Sequence, residues 1–209
     1  MLFRSLAKVL DGATAEHVKM MERVIKFVLD TKDKELKLKP TVRPDGKWKI
    51  TGYSDSDYGG DKDTRRSVTG FVVLVNDVPI AWRSRSQRSV TLSSTEGEYV
   101  AASETAAEMM FVKHSLEFFG VQLADKMELF VDNAGAIHLT KNETVSRTKH
   151  VDIRAHCVRE LHPILDVTYV PSKDNMSDIF TKNTATELFA KHAGRFWDVL
   201  NTKNTYNKG

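Results

Sequence analysis

Four acidic side chains stand out because of the segments that carry them. Asp55 closes a strand-like run in Tyr53-Ser54-Asp55-Ser56-Asp57, and Glu98 falls in the first turn of a helix within Ser94-Thr95-Glu96-Gly97-Glu98-Tyr99. Asp132 follows the short apolar run Leu129-Phe130-Val131, and Asp178 opens a helical segment in Asn175-Met176-Ser177-Asp178-Ile179-Phe180. Carboxylates at strand ends and helix starts converge on one edge of an α/β sheet, where such folds place their sites. Converging carboxylates repel one another and need a cation. Hard oxygen ligands suit Mg²⁺ or Mn²⁺, and pairs of such ions about 4 Å apart support phosphodiester hydrolysis. Each position also has a structural explanation, since Asp forms turns and Glu is favoured near a helix N-terminus. The chemical reading rests on all four in this order.

The elements that must position them are legible from periodicity. Residues from Thr14 to Thr31 are expected to form an amphipathic helix with Thr14 as N-cap and an apolar stripe at Val18, Met21, Ile25, Val28 and Leu29. A lysine-rich connection from Asp30 ends at the turn Pro44-Asp45-Gly46, the best domain boundary in the chain. Strands are expected at Trp48 to Ser56, Ser67 to Val75 and Ile80 to Ser84, with Asn76-Asp77 as a hairpin turn and Ser89 to Leu92 as an extension of the third. Ser93-Ser94-Thr95-Glu96 has capping-box form and opens an alanine-rich helix that stops at Gly120. A strand at Met127 to Val131, a short helix through Ala134, Ile137 and Leu139, a helix from Lys149 to Leu161, a strand at Val167 to Val170 and a helix from near Asn175 complete the pattern, with a polar tail from Lys203. A meander followed by strands alternating with helices implies an α/β fold with a mixed sheet.

Composition sets the outer bounds. Of 209 residues, 41% are hydrophobic and 28% charged, the net charge is +3, and Cys157 is the lone cysteine. That excludes a disulfide framework and a multi-cysteine zinc site, and fits a reducing intracellular compartment, cytoplasm or nucleus. No apolar run is long enough to cross a bilayer and the first ten residues lack the form of a secretory signal, so membrane insertion is not expected. Any basic footprint must be local. Arg83, Arg85 and Arg88, interleaved with serines, offer phosphate contacts, or else blunt an edge strand with charge. Ser94, Thr95 and Asn133, beside the carboxylates, suit hydrogen bonding to a 2′-hydroxyl. Asp152 and His156 read as an i,i+4 helix pair, Cys157 as a buried thiol, and Trp48, Trp82 and Trp197 as packing residues.

Several long motifs resemble one family. Tyr53-Ser54-Asp55-Ser56-Asp57-Tyr58-Gly59-Gly60-Asp61, Arg66-Ser67-Val68-Thr69-Gly70, Ser93-Ser94-Thr95-Glu96-Gly97-Glu98-Tyr99, Thr148-Lys149-His150-Val151-Asp152-Ile153-Arg154 and the run from Val170 to Lys182 are similar to the ribonuclease H domain of copia-type LTR retrotransposons. Leu6 to Leu38 resembles the end of the reverse transcriptase that precedes it. The resemblance implies a ribonuclease H fold with a five-stranded mixed sheet. It divides the chain into a reverse-transcriptase remnant (1–45), a ribonuclease H domain (46–183) and a C-terminal helix and tail (184–209). It implies a site of two Mg²⁺ (or Mn²⁺) ions, one held by Asp55, Asp132 and Asp178 and the other by Asp55 and Glu98, cutting the RNA strand of RNA–DNA hybrids. Asp57 is a neighbour of that set and Glu96 the capping acid. Bacterial-type enzymes carry a histidine in the loop before the last aspartate; here Pro171 to Ser177 holds Lys173 instead. The alternative is a domesticated, catalytically silent ribonuclease H-fold protein serving as a structural or binding subunit. The N-terminal stripe is expected to be buried, either on reverse transcriptase or another protein chain, or against Leu188, Phe189 and Trp197 of this one.

Overall fold

The structure is a computed structural model, and residues 6, 9, 12–61, 64–141 and 158–199 are described. Its centre is a mixed sheet of five strands, numbered in chain order: β2 (Ile50–Asp57), β3 (Val68–Val75), β4 (Val78–Ser86), β5 (Met127–Val131) and β6 (Leu165–Tyr169). The spatial order is β4-β3-β2-β5-β6. The first three strands pair antiparallel, and β5 and β6 join parallel to β2. The sheet is therefore the mixed five-stranded α/β arrangement expected from the sequence.

Local chemistry explains the elements. Every residue of β3 is buried, as its β-branched run requires of a strand covered on both faces. Asn76 and Asp77 both adopt positive φ (46° and 68°), the backbone that closes a two-residue hairpin. Helix α2 (Ser94–Phe118) begins where Ser93 Oγ accepts the Glu96 N–H at 3.1 Å and Glu96 accepts the Leu92 N–H at 2.6 Å. It ends before Gly120, whose φ of 75° is left-handed. This helix lies on one face over Ile50, Phe71, Val73, Leu129 and Val131, the main core. Gly52 makes the close approach possible, because a Cβ there would meet Met109 Sδ at 2.5 Å. The opposite face carries a smaller cluster of Val72, Leu74 and Met176 with Tyr53, Phe180 and Phe196.

Helix α1 (Ala15–Thr31) starts after Thr14, whose N–H donates to His17 Nδ1 at 3.0 Å. Its contact with the rest of the chain runs through Phe27, which meets the ring of Phe189 on the helix α5 (Thr186–Ala193) at 5.8 Å and that of Trp197, beyond it, at 6.1 Å. The expected stripe is not what docks. Val18, Met21, Ile25, Val28 and Leu29 stay between 47% and 62% exposed.

Other boundaries differ from expectation. The lysine-rich connection holds a strand, β1 (Lys34–Leu36), paired antiparallel with β7 (Trp197–Val199). Trp48 precedes β2 and forms a lone bridge with Leu123, and β4 stops at Ser86, so Ser89 to Leu92 does not extend it. Trp82 points to the surface, 53% exposed. The last segment of the sheet unit is a 3₁₀ turn (Ser172–Asp174) followed by a one-turn helix α4 (Asp178–Thr181), rather than a helix from Asn175. The helix expected from Lys149, with His150, Asp152, His156 and Cys157, falls mostly outside the described residues, and the tail from Lys203 lies wholly outside them.

Candidate active site

Asp55 sits near the carboxyl end of the central strand β2 and is 1% exposed. Its register partner on β3 is Gly70. A Cβ on Gly70 would lie 2.5 Å from Thr181 Cγ2 and 2.9 Å from Phe180 Cβ, so glycine is what lets α4 rest on the sheet there. That contact brings Asp178, the first residue of α4, to Asp55. Asn175 fixes the approach: fully buried, it donates from Nδ2 to the Ser54 carbonyl at 2.9 Å and accepts from Ser177 N–H at 3.2 Å. Asp132 follows β5 directly, beside Asp55 because β5 is parallel to β2. Ser172 Oγ donates to Asp132 Oδ2 at 2.7 Å.

The result is a trio: one carboxylate oxygen each from Asp55, Asp132 and Asp178 lies within 4.8 Å of the others. Glu98 stands outside that trio, and it projects from the second turn of α2 rather than the first, because the helix already begins at Ser94. Its Oε1 accepts the Ser56 N–H at 3.1 Å, while its Oε2 is buried without a hydrogen-bond partner. Gly97 permits this placement, since a Cβ there would meet Ser56 Oγ at 2.8 Å. Gln87, also buried, donates to the Gly97 carbonyl at 3.0 Å and to Thr69 Oγ1 at 3.1 Å, tying the helix start to the sheet.

Two of these carboxyl groups are raised above their ordinary range. Burial, then the charges of Asp55 and Asp132, push Glu98 up to about 9. Burial, then Asp55, push Asp178 up to about 6. Lys182 works against this, with Nζ 3.3 Å from Asp55 Oδ1 and 3.1 Å from Asp178 Oδ1. Thr181 Oγ1 donates to Asp55 Oδ2.

Hard divalent cations fit this donor set. Three carboxylate oxygens are gathered on two neighbouring parallel strands and a helix start, and Glu98 adds a buried oxygen with no hydrogen-bond partner beside them. Asp57 is not in the trio; its carboxylate lies against the turn at Gly60. Lys182, Thr181, Ser172 and Asn175 were not singled out from sequence. Only Lys182 carried a signal, standing four residues after Asp178.

The polar and basic candidates divide. Thr95 and Asn133 both line Gly135, within 3.2 Å of a Cβ built there, next to Asp132 and one turn from Glu98. Asn133 Oδ1 accepts the Ala136 N–H at 2.9 Å and so begins helix α3 (Ala134–Lys141). Ser94 is exposed. Arg83 and Arg85 reach across to α2, pairing with Glu108 at 3.4 Å and Glu104 at 2.9 Å, whereas Arg88 is exposed.

Among solved structures the chain resembles LC11-RNase H1, isolated from compost, with a TM-score of 0.50 and 14% identity over 64% of this chain and 92% of that one. The molecule thus has a ribonuclease H fold, with an acidic cluster at the carboxyl edge of its central strands. No family model matches. The retrovirus-related Pol polyprotein from transposon TNT 1-94 of Nicotiana tabacum is 38% identical over 136 residues, which is 64% of this chain and 10% of the polyprotein. That from transposon RE1 of Arabidopsis thaliana is 32% identical over 195 residues, 90% of this chain and 13% of the polyprotein. These two relatives are copia-type Pol polyproteins, and the part of them that the chain matches is joined here to a ribonuclease H fold. The chain spans about a tenth of the length of these relatives.

Proposed function

We propose that this chain is a metal-dependent endoribonuclease that cuts the RNA strand of RNA–DNA hybrids within a retrotransposon's reverse-transcription machinery. The observation that carries the proposal is the gathering of Asp55, Asp132 and Asp178 within 4.8 Å, with the Glu98 carboxylate beside them. Asp55, Asp132 and Asp178 would hold one Mg²⁺ or Mn²⁺ ion, and Asp55 with Glu98 a second. Bound there, divalent ions supply an activated water and stabilise the charge that develops on the leaving 3′-oxygen.

The protein's own part is positioning. Thr181 and Ser172 orient Asp55 and Asp132 through hydroxyl donors, and the Asn175 anchor holds the loop that delivers Asp178. Asp55 and Asp178 are both buried, which keeps bulk water from screening their charges. Thr95 and Asn133, at the rim beside Asp132, would meet the 2′-hydroxyls of an RNA strand. With each strand of a hybrid labelled in turn, cleavage should fall on the RNA strand alone and leave 5′-phosphate and 3′-hydroxyl ends. Equal cutting of both strands, or of free single-stranded RNA, would contradict the substrate assignment.

A protein partner is supported by a separate observation. Five large apolar residues of α1 face solvent in one stripe, so we propose that reverse transcriptase or another protein chain covers them. A chain acting only as a binding subunit would keep that surface and show no cleavage.

A further inference from the structure

We propose that Lys182 is a resident counter-ion of the acidic site: it shares Asp55 and Asp178 with the divalent cation and must leave them for the cation to bind. The inference rests on the metal-dependent reading above. Its ammonium lies 3.3 Å from Asp55 Oδ1 and 3.1 Å from Asp178 Oδ1, so it bridges two of the three clustered carboxylates. Those two side chains are 1% and 5% exposed, whereas Lys182 itself is 41% exposed. The charge therefore covers the mouth of the site and does not fill its floor.

The backbone of Lys182 is fixed, its N–H donating to the Asp178 carbonyl at the end of α4. Its side chain is a flexible four-carbon stem carrying a compact charge with three donors and no acceptor. Such a group swings into solvent by rotating its own bonds, with no movement of the helix. Thr181, one residue earlier, donates to the other oxygen of Asp55. The carboxylates are thus held in place by neutral and cationic donors before any metal arrives. One ammonium offsets only part of the charge of three carboxylates, so attraction for a divalent ion persists. Metal entry at Asp55 and Asp178 is then an exchange of cations rather than the filling of an empty ring.

Calorimetric titration with Mn²⁺, together with melting curves, tests this on the full chain and on Lys182→Gln and Lys182→Arg. Lys182→Gln removes the competitor and should bind Mn²⁺ roughly three- to tenfold more tightly. Its metal-free Tm should fall, and the rise in Tm caused by Mn²⁺ should grow. Lys182→Arg keeps the charge and should stay near the parent in all three readings. Should Lys182→Gln not fold without metal, Lys182→Met, which retains the apolar stem, takes its place. Parent-like or weaker Mn²⁺ binding by the neutral variants overturns the role of Lys182 and leaves the metal site standing. No Mn²⁺ binding by any of the proteins, the parent included, overturns the metal-dependent reading itself.

Discussion

At the scale of single residues, burial first and repulsion second favour the protonated forms of Glu98 and Asp178. Glu98 is buried beside Asp55 and Asp132, with its protonation shifted up to about 9, and Lys182 offsets the effect only in part. Between the ordinary glutamate range and about 9, the folded state therefore holds more protons than the unfolded chain. Stability in the absence of metal is then greatest at low pH and falls as pH rises through that window. Melting curves in chelator from pH about 5 to about 9 should show a falling Tm, and Glu98→Gln should flatten the fall; a parent curve as flat as the variant's would refute this. Asp132 yields a second expectation. Asn at this position keeps the size and can still accept from Ser172, but removes one charge and one of the proposed ligands. Asp132→Asn should be at least as stable as the parent without metal and should lose most of the Mg²⁺-induced rise in Tm. An unchanged Mg²⁺ shift would remove Asp132 from the site.

At the scale of elements, what matters is how closely a helix approaches a strand. Gly70 sits opposite Asp55, and a methyl group there would strike Thr181 and the backbone of Phe180. Gly70→Ala should displace α4 and cost about 1–3 kcal/mol in stability. Because Asp178 rides on α4 and Lys182 follows directly after it, cleavage and the Mg²⁺ response should fall together, while the α2 side of the core keeps its amide protection; an Ala variant with full activity would refute the argument.

This scale also shows what the sequence could reveal. Val68–Val75, Met127–Val131 and α2 carried strong periodicity, a hairpin turn or a capping box, and they lie where expected. The four carboxylates were legible for the same reason, since each stood at the end of a readable element. β1 and β7 were not, because a three-residue exposed strand such as Lys34–Leu36 exists only through pairing with a segment far along the chain. The start of α4 was misplaced because Asn175 is engaged with Ser54, a tertiary contact that no local propensity encodes. Arg83 and Arg85 read as an open basic patch because their partners, Glu108 and Glu104, lie on another element.

At the scale of the whole molecule, segments far apart along the chain meet. Phe27 of α1 packs on Phe189 and Trp197, and β1 pairs with β7 nearby. These segments therefore support each other beside the central sheet. Phe27→Ala should speed amide exchange in α1 and in the β1–β7 pair, leaving β2 and β3 as protected as in the parent. Exchange in α1 unaffected by the substitution would show that Phe27 does not anchor the helix. The activity proposed above, hydrolysis of hybrid RNA at a site built on Asp55, draws its support from the fold, the similarity to copia-type Pol polyproteins and the acidic trio. Incubation of a labelled RNA–DNA hybrid with Mg²⁺ measures it directly. The parent protein should cleave the RNA strand, with Asp55→Asn and chelator each abolishing the cut; a parent that leaves the hybrid intact, or an Asp55→Asn variant that cuts as well as the parent, would contradict it.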